Sequence, residues 1–196
     1  LPFKKNHGFM KRNLSVWYYQ IFNENNKPDK DIERIYEEII KDLPDDADLS
    51  LLHGDYKLDN VVINKNNECV AILDWELSSF GEPMADISFQ MINWLIPRGV
   101  LYGLGGEWEA NGIPSSETFL KWYEESYGRE VDVVSLRNAC IFSLIKLFCI
   151  LKGIENRINQ GNAFSEDANL KAQAAPAIKD VLIRAFEANP KDLILS

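Results

Sequence analysis

The chain has 196 residues, 46% of them hydrophobic and 26% charged, which suits one folded domain with a sizeable core and excludes a largely disordered chain. A formal net charge of -9 argues against a general nucleic-acid binder, yet leaves room for an anionic substrate held by a few local cations or a metal. Two histidines are too few for a multi-histidine metal site, and three cysteines (Cys69, Cys140 and Cys149) fit neither a zinc motif nor a closed disulfide framework, so a reducing, cytoplasmic setting is expected.

In chain order, a first helix is expected over 10–22. Pro28 precedes Asp29, an N-cap candidate, and Ile32, Ile35, Tyr36, Ile39, Ile40 and Leu43 then repeat at helical spacing until Pro44. The stretch from Lys41 to Asp48 reads as an acidic, solvated loop, of a kind that attracts cationic substrates. Leu51-Leu52 leads into a polar run from His53 to Asn60. Val61 to Ile63 and Val70 to Leu73 read as strands, and the turn-rich Asn64 to Glu68 joins them into a β-hairpin. Helices are expected over 84–95, after a Ser115 or Ser116 cap, over roughly 132–159, and within 172–188 with Pro176 near its start. A glycine-rich loop fills Pro97 to Gly112. The longest apolar stretch, Ala139 to Leu151, is interrupted by Lys146 and is too short to span a bilayer, so no membrane association is expected. The fold class is therefore α+β, mostly α, with one small β-hairpin.

The hairpin gives its flanking residues a chemistry. If Asn64 pairs with Val70, Asn60 lies opposite Asp74 at about 5 Å. A carboxamide and a carboxylate converging there are oxygen ligands suited to Mg2+, which keeps waters and takes further oxygens from phosphates. Asp55 enters the same end of the hairpin, free to face a nucleophile. Phosphoryl transfer needs little more, because it works chiefly by positioning and electrostatics.

His53-Gly54-Asp55-Tyr56-Lys57-Leu58-Asp59-Asn60, followed by Asp74-Trp75-Glu76, resembles the catalytic loop and metal-binding segment of the aminoglycoside phosphotransferase and choline kinase superfamily, itself similar to protein kinases. The resemblance implies Asp55 as catalytic base, Asn60 and Asp74 as Mg2+ ligands, ATP as phosphate donor, and His53 as a brace of the loop. Lys57 stands where protein kinases place a phosphate-contacting lysine. The run Leu73 to Asp86, Arg12 with Trp17, Gly112-Ile113-Pro114-Ser115 and Gln160-Gly161-Asn162-Ala163 resemble the phosphotransferase-like domains associated with acyl-CoA dehydrogenases, some of which phosphorylate hydroxylated acyl-CoA. Lys146 departs from the arginine expected in that subgroup, which keeps the charge and loses the fork. Neither the superfamily's nucleotide-covering loop nor its phosphate-binding lysine precedes residue 53. The chain, which begins at Leu1, is thus expected to be the C-terminal lobe alone, and the face meeting the other lobe is expected to expose apolar surface and to favour self-association.

Simpler roles stand beside these. Lys57 also fits a solvated surface lysine, and Glu76 and Asp59 fit local hydrogen bonding. Asp86 fits the first turn of the 84–95 helix, whereas the resemblance has it bracing the loop. Trp94 and Trp122 are expected in the core, Trp108 near a cleft, and Cys140 and Cys149 as buried thiols. Two other function classes compete with a small-molecule kinase: a catalytically incomplete binding or regulatory lobe, and a metal-dependent hydrolase, which would usually bring more ligands.

Overall fold

Acidic and hydroxyl side chains set several of the helix starts. In a computed structural model that describes residues 8–24, 26–45, 49–105, 112–161 and 165–194, helix α1 spans Phe9–Ile21 and α2 Lys30–Asp42. Asp29 Oδ1 accepts from the amides of Asp31 and Ile32 at the start of α2. Ser115 Oγ accepts from Thr118 N at 3.0 Å where α4 (Ser116–Tyr127) begins. Asp132 accepts from Ser135 N at 2.8 Å and opens the long α5 (Val133–Asn159). Each cap satisfies helix-end donors that would otherwise lack partners.

Helix α5 is apolar on nearly every side along its middle, from Ala139 to Leu151, and organises the rest. By length and composition alone it could cross a membrane. Instead it packs against α1, α2, α3 (Met84–Leu95), α6 (Glu166–Gln173), α7 (Ala175–Glu187) and α8 (Pro190–Ile194). A helix that is hydrophobic all round is stable only when covered in this way. Leu136, Ile141, Phe142, Leu144 and Ile145 form its core contacts. Cys140 and Cys149 are buried as expected, and burial pushes both thiols up to about 12. Pro176 sits in the first turn of α7. Trp122 departs from expectation: it is 54% exposed. Trp94 is half-buried, its indole N–H donating to Pro114 O at 3.0 Å.

Two small antiparallel sheets carry the remaining backbone. Strand β2 (Val61–Ile63) pairs with β3 (Cys69–Ile72), the expected hairpin. Strand β1 (Ser50–Leu52) pairs with β4 (Ser79–Gly81), which the sequence did not announce because the two are short and far apart in the chain. The hairpin register also differs from expectation. Asn64 N donates to Glu68 O at 3.0 Å, and Asn64 Oδ1 accepts from the amides of Asn66 and Glu68. The turn therefore closes two residues earlier than an Asn64–Val70 pair would. An irregularity between the Ile63–Cys69 and Val62–Ala71 pairs absorbs one residue as a bulge. Asn60 consequently faces Leu73, whose N–H donates to Asn60 O at 2.7 Å, and Asp74 lies one position further on.

Asp132→Ala is expected to lower stability by about 1 kcal/mol at neutral pH through loss of the α5 cap. The hydrogen bond from Ser135 N–H holds the Asp132 carboxyl below its ordinary value of 3.8. A depressed folded-state pKa stabilises above the unfolded value, and that contribution is lost as the pH falls through the folded one. Urea denaturation should thus show the gap between variant and parent narrowing below pH 3.8.

Candidate active site

The segment from His53 to Tyr56 has no regular secondary structure, yet side chains hold its peptide groups one after another. Asp86, in the first turn of α3, accepts from His53 N at 2.6 Å through Oδ2 and from Gly54 N at 3.0 Å through Oδ1. His53 Nδ1 accepts from Asp55 N at 3.3 Å. Lys146 Nζ, from α5, donates to Gly54 O at 2.9 Å. Asn60 Nδ2 donates to Asp55 O at 2.9 Å. Gln90, one helical turn after Asp86, donates through Nε2 to Tyr56 O. A non-regular segment at this depth must find such partners, since unpaired buried backbone groups are costly. Gly54 is required here: its φ is 83°, and an added Cβ would lie 2.3 Å from Leu77 O.

His53 ties this segment to the hairpin. It is 4% exposed, and its Nε2 lies 2.8 Å from Leu73 O. A carbonyl only accepts, so Nε2 carries the proton and Nδ1 is left to receive the Asp55 amide. Trp75 lies against the imidazole at 4.7 Å between centroids. Leu73 is thus held at its N–H by Asn60 and at its carbonyl by His53. The next residue, Asp74, takes a left-handed backbone, φ 63° and ψ 60°, which aspartate tolerates better than most residues.

Oxygen donors suited to Mg2+ are present. Asn60 turns its amide nitrogen toward Asp55, which points Oδ1, on the other side of the planar carboxamide, away from the loop. Asp74 is exposed, and its carboxylate makes no hydrogen bond or ion pair among the described residues. Among those residues no group of three or more His, Cys, Asp or Glu side chains could form a metal cage. A two-ligand arrangement completed by water and phosphate needs none. Asp55 Oδ2 is engaged at 2.6 Å by Lys57 Nζ and at 3.4 Å by Asn60 Nδ2. Lys57 therefore neutralises Asp55 rather than standing free in solvent.

Sequence reading missed Gln90 and the position of Lys146. Both are polar residues on otherwise apolar helices, and that mismatch is the signal that could have found them. Asp59 accepts from Tyr102 OH at 2.7 Å, the local role expected of it. Beside the loop, a shallow cavity of about 250 Å³ is lined mainly by apolar and aromatic groups, including Leu52, Tyr56, Trp75, Ile87 and Tyr123. Exposed apolar side chains surround the site, with Leu58 81%, Ile63 53%, Val70 58%, Leu73 51% and Leu77 51% exposed. Trp108, Gly106, Asn162, Ala163 and residues 46–48 lie outside the described residues.

Known proteins carry the same arrangement of sequence. The profile of the phosphotransferase enzyme family matches residues 4–123, which spans α1, the tethered loop, both sheets and α3. The chain belongs to the phosphotransferase enzyme family. A crystal structure of a candidate aminoglycoside phosphotransferase from Ralstonia eutropha superposes with a TM-score of 0.80 at 27% identity, over 95% of this chain and 58% of that one. Human acyl-CoA dehydrogenase family member 11 is 33% identical over 168 residues, covering 84% of this chain and 22% of that protein. Mouse acyl-CoA dehydrogenase family member 10 is 27% identical over 184 residues, 91% of this chain and 17% of its own length. The chain thus spans about a fifth of these curated relatives. The C-terminal lobe of a protein-kinase-like fold, expected from the sequence, is the fold this chain shares with the Ralstonia structure.

Asp86→Asn keeps the shape but offers one good acceptor where two amides now point. A loss of about 2 kcal/mol is expected, the scale of a hydrogen bond to a charged group together with a buried donor left unpaired. Denaturation of parent and variant side by side measures it; equal midpoints would mean that the loop does not depend on this carboxylate.

Proposed function

We propose that this phosphotransferase-family chain is the catalytic lobe of an ATP- and Mg2+-dependent kinase acting on a hydroxyl group of a small molecule. The observation that supports this reading is that Asp55 and Asn60 meet on backbone held from several sides, with Asp74 next after Leu73, the residue that Asn60 and His53 grip. Asp55 orients the acceptor hydroxyl and receives its proton as the acceptor oxygen bonds to the γ-phosphorus and the bond to the β-phosphate oxygen breaks. Asn60 Oδ1 and the Asp74 carboxylate hold Mg2+, which when bound offsets the charge on the phosphates. Lys57 leaves Asp55 to meet a phosphate oxygen once nucleotide is present, a short move for a flexible side chain 34% exposed. His53 touches no reactant and keeps the Asp55 and Asp74 segments in register.

A hydroxyacyl-CoA is the favoured acceptor. The support is the name shared by the curated relatives, acyl-CoA dehydrogenase family members, and the largely apolar cavity beside the loop. The proposed setting is the cytoplasm, where the free thiols Cys69, Cys140 and Cys149 stay reduced. Neither nucleic acid nor membrane is among the proposed partners, and the net charge of -9 supports the first exclusion.

In the whole protein, Asp55→Asn is expected to lower turnover by about 10²- to 10⁴-fold, the usual worth of a positioned proton acceptor, with ATP affinity retained. Parent-like turnover would remove Asp55 from this role. Asp74→Ala is expected to weaken Mg-ATP while leaving binding of metal-free nucleotide unchanged, measured by calorimetry with and without EDTA.

The Lys57–Asp55 pair favours a second reading, since a base already neutralised at 2.6 Å suits a lobe that binds or regulates without catalysing. Under that reading the 196-residue chain binds Mg-ATP weakly and turns nothing over, even with hydroxyacyl-CoA present. The exposed apolar rim around the site also favours association with a second copy. Light scattering should show mass rising with concentration, and a constant monomer mass would set this aside.

A further inference from the structure

Lys146 is the one charged residue within the apolar stretch Ala139 to Leu151 of α5, and an aliphatic side chain would suit that helix better. It does not reach outward to solvent, as lysines on apolar surfaces usually do. Its Nζ turns inward to Gly54 O at 2.9 Å and sits 5.3 Å from the centroid of the Phe89 ring. Burial holds its pKa below the ordinary lysine value against the opposing pull of Asp55 and Asp86, with Lys57 adding to the lowering. A desolvated cation of this kind is costly unless something specific receives it.

What receives it is one end of a single rigid unit. Gly54 O and Asp55 N belong to the same peptide group, which is planar. Lys146 grips the oxygen and His53 Nδ1 grips the N–H. Two holds at opposite ends of one plane fix its tilt, and with it the direction in which the Asp55 side chain leaves the backbone. We propose that Lys146 is a positioning residue that sets the Gly54–Asp55 peptide plane and so aims the Asp55 carboxylate. Its catalytic consequence rests on the kinase reading above; its geometric content does not.

The surroundings give a way to test it. A cavity of about 200 Å³ beside the ammonium is lined by Asn13, Trp17, Gly54, Asp86, Phe142 and Lys146, among others. Asn13 Oδ1 is buried and has no hydrogen-bond partner among the described residues. Arginine at 146 is larger and brings five donors. The cavity has room for it, Gly54 O remains within its reach, and Asn13 Oδ1 offers a second acceptor.

Hydrogen exchange read by mass spectrometry on the whole protein that carries this chain tests the proposal in three forms: parent, Lys146→Met and Lys146→Arg. In Lys146→Met the amides of His53, Gly54 and Asp55 should exchange about tenfold faster, the scale of one lost charge-assisted hydrogen bond, while α1, α2 and α7 keep parental protection. Lys146→Arg should restore slow exchange at the same three amides. Unchanged exchange there in Lys146→Met, an equal rise in every helix, or failure of Lys146→Arg to restore protection would overturn the proposal. Should Lys146→Met not fold, Lys146→Leu, which likewise removes the donor, takes its place under the same criteria. The exchange pattern reports the peptide plane whether or not the chain transfers phosphate. A failed kinase assay therefore leaves this test standing, and a failed exchange test leaves the Asp55→Asn prediction standing.

Discussion

One carboxylate, that of Asp86, holds the N–H groups of His53 and Gly54 and fixes where the loop begins. Without it, two amides that α3 brings into a protein interior would lack partners, and the following residues would lose their origin. Gln90 then adds a second hold from the same face of α3, one turn on, at Tyr56 O. The spacing of four residues is the helical repeat that puts both side chains over the same stretch of loop. Order in the loop is thus inherited from a rigid helix, which suits a site whose chemistry depends on positioning. That helix is in turn fixed to α5 by packing and by the buried hydroxyl pair Ser88–Ser143 at 2.7 Å.

Helix α5 serves two purposes with conflicting demands. As the central core helix it needs apolar side chains on every face, and it mostly has them. As the wall behind the loop it must supply something for Gly54 O, an acceptor that no backbone donor reaches among the described residues. Lys146 resolves the conflict with an aliphatic stem that packs like its neighbours and a terminal ammonium that reaches the carbonyl. The cavity and Asn13 Oδ1, unpartnered among the described residues, mark where the fit is loose.

Most helices were legible because their signals are local: a capping side chain, an apolar period, a proline. Asp29, Ser115 and Asp132 cap the helices that the sequence suggested. Helix α6 was not foreseen, since Glu166–Gln173 has no strong apolar face. The β1–β4 pair was invisible because nothing near Ser50–Leu52 in sequence points to Ser79–Gly81. The candidate site residues stand out in the sequence through the His53 to Asn60 motif and Asp74, but their relative register does not. A single-residue bulge decides that register, and Asn64 in the turn sets it through its own side chain. The tethers Gln90 and Lys146 lie far from the motif in sequence, and a hydrogen bond to a loop carbonyl leaves no local pattern.

The charges around the loop alternate. Asp86 and Asp55 are acidic, and Lys146 and Lys57 are basic. The two lysines are not equivalent. Lys146 is bound to backbone and desolvated, so releasing it would leave both a carbonyl and a cation without partners. Lys57 is partly exposed and bound to a side chain that is itself partly exposed, 34% and 24%, where an ion pair contributes little. The difference assigns them different duties in the proposed reaction. The first cation stays with the scaffold while the second is free to follow an incoming phosphate. A carboxylate released by Lys57 is still aimed, because the peptide that bears it is held elsewhere. In the proposed reaction positioning and charge neutralisation are thereby separated, and the loop would exchange partners at Asp55 on a backbone that stays held.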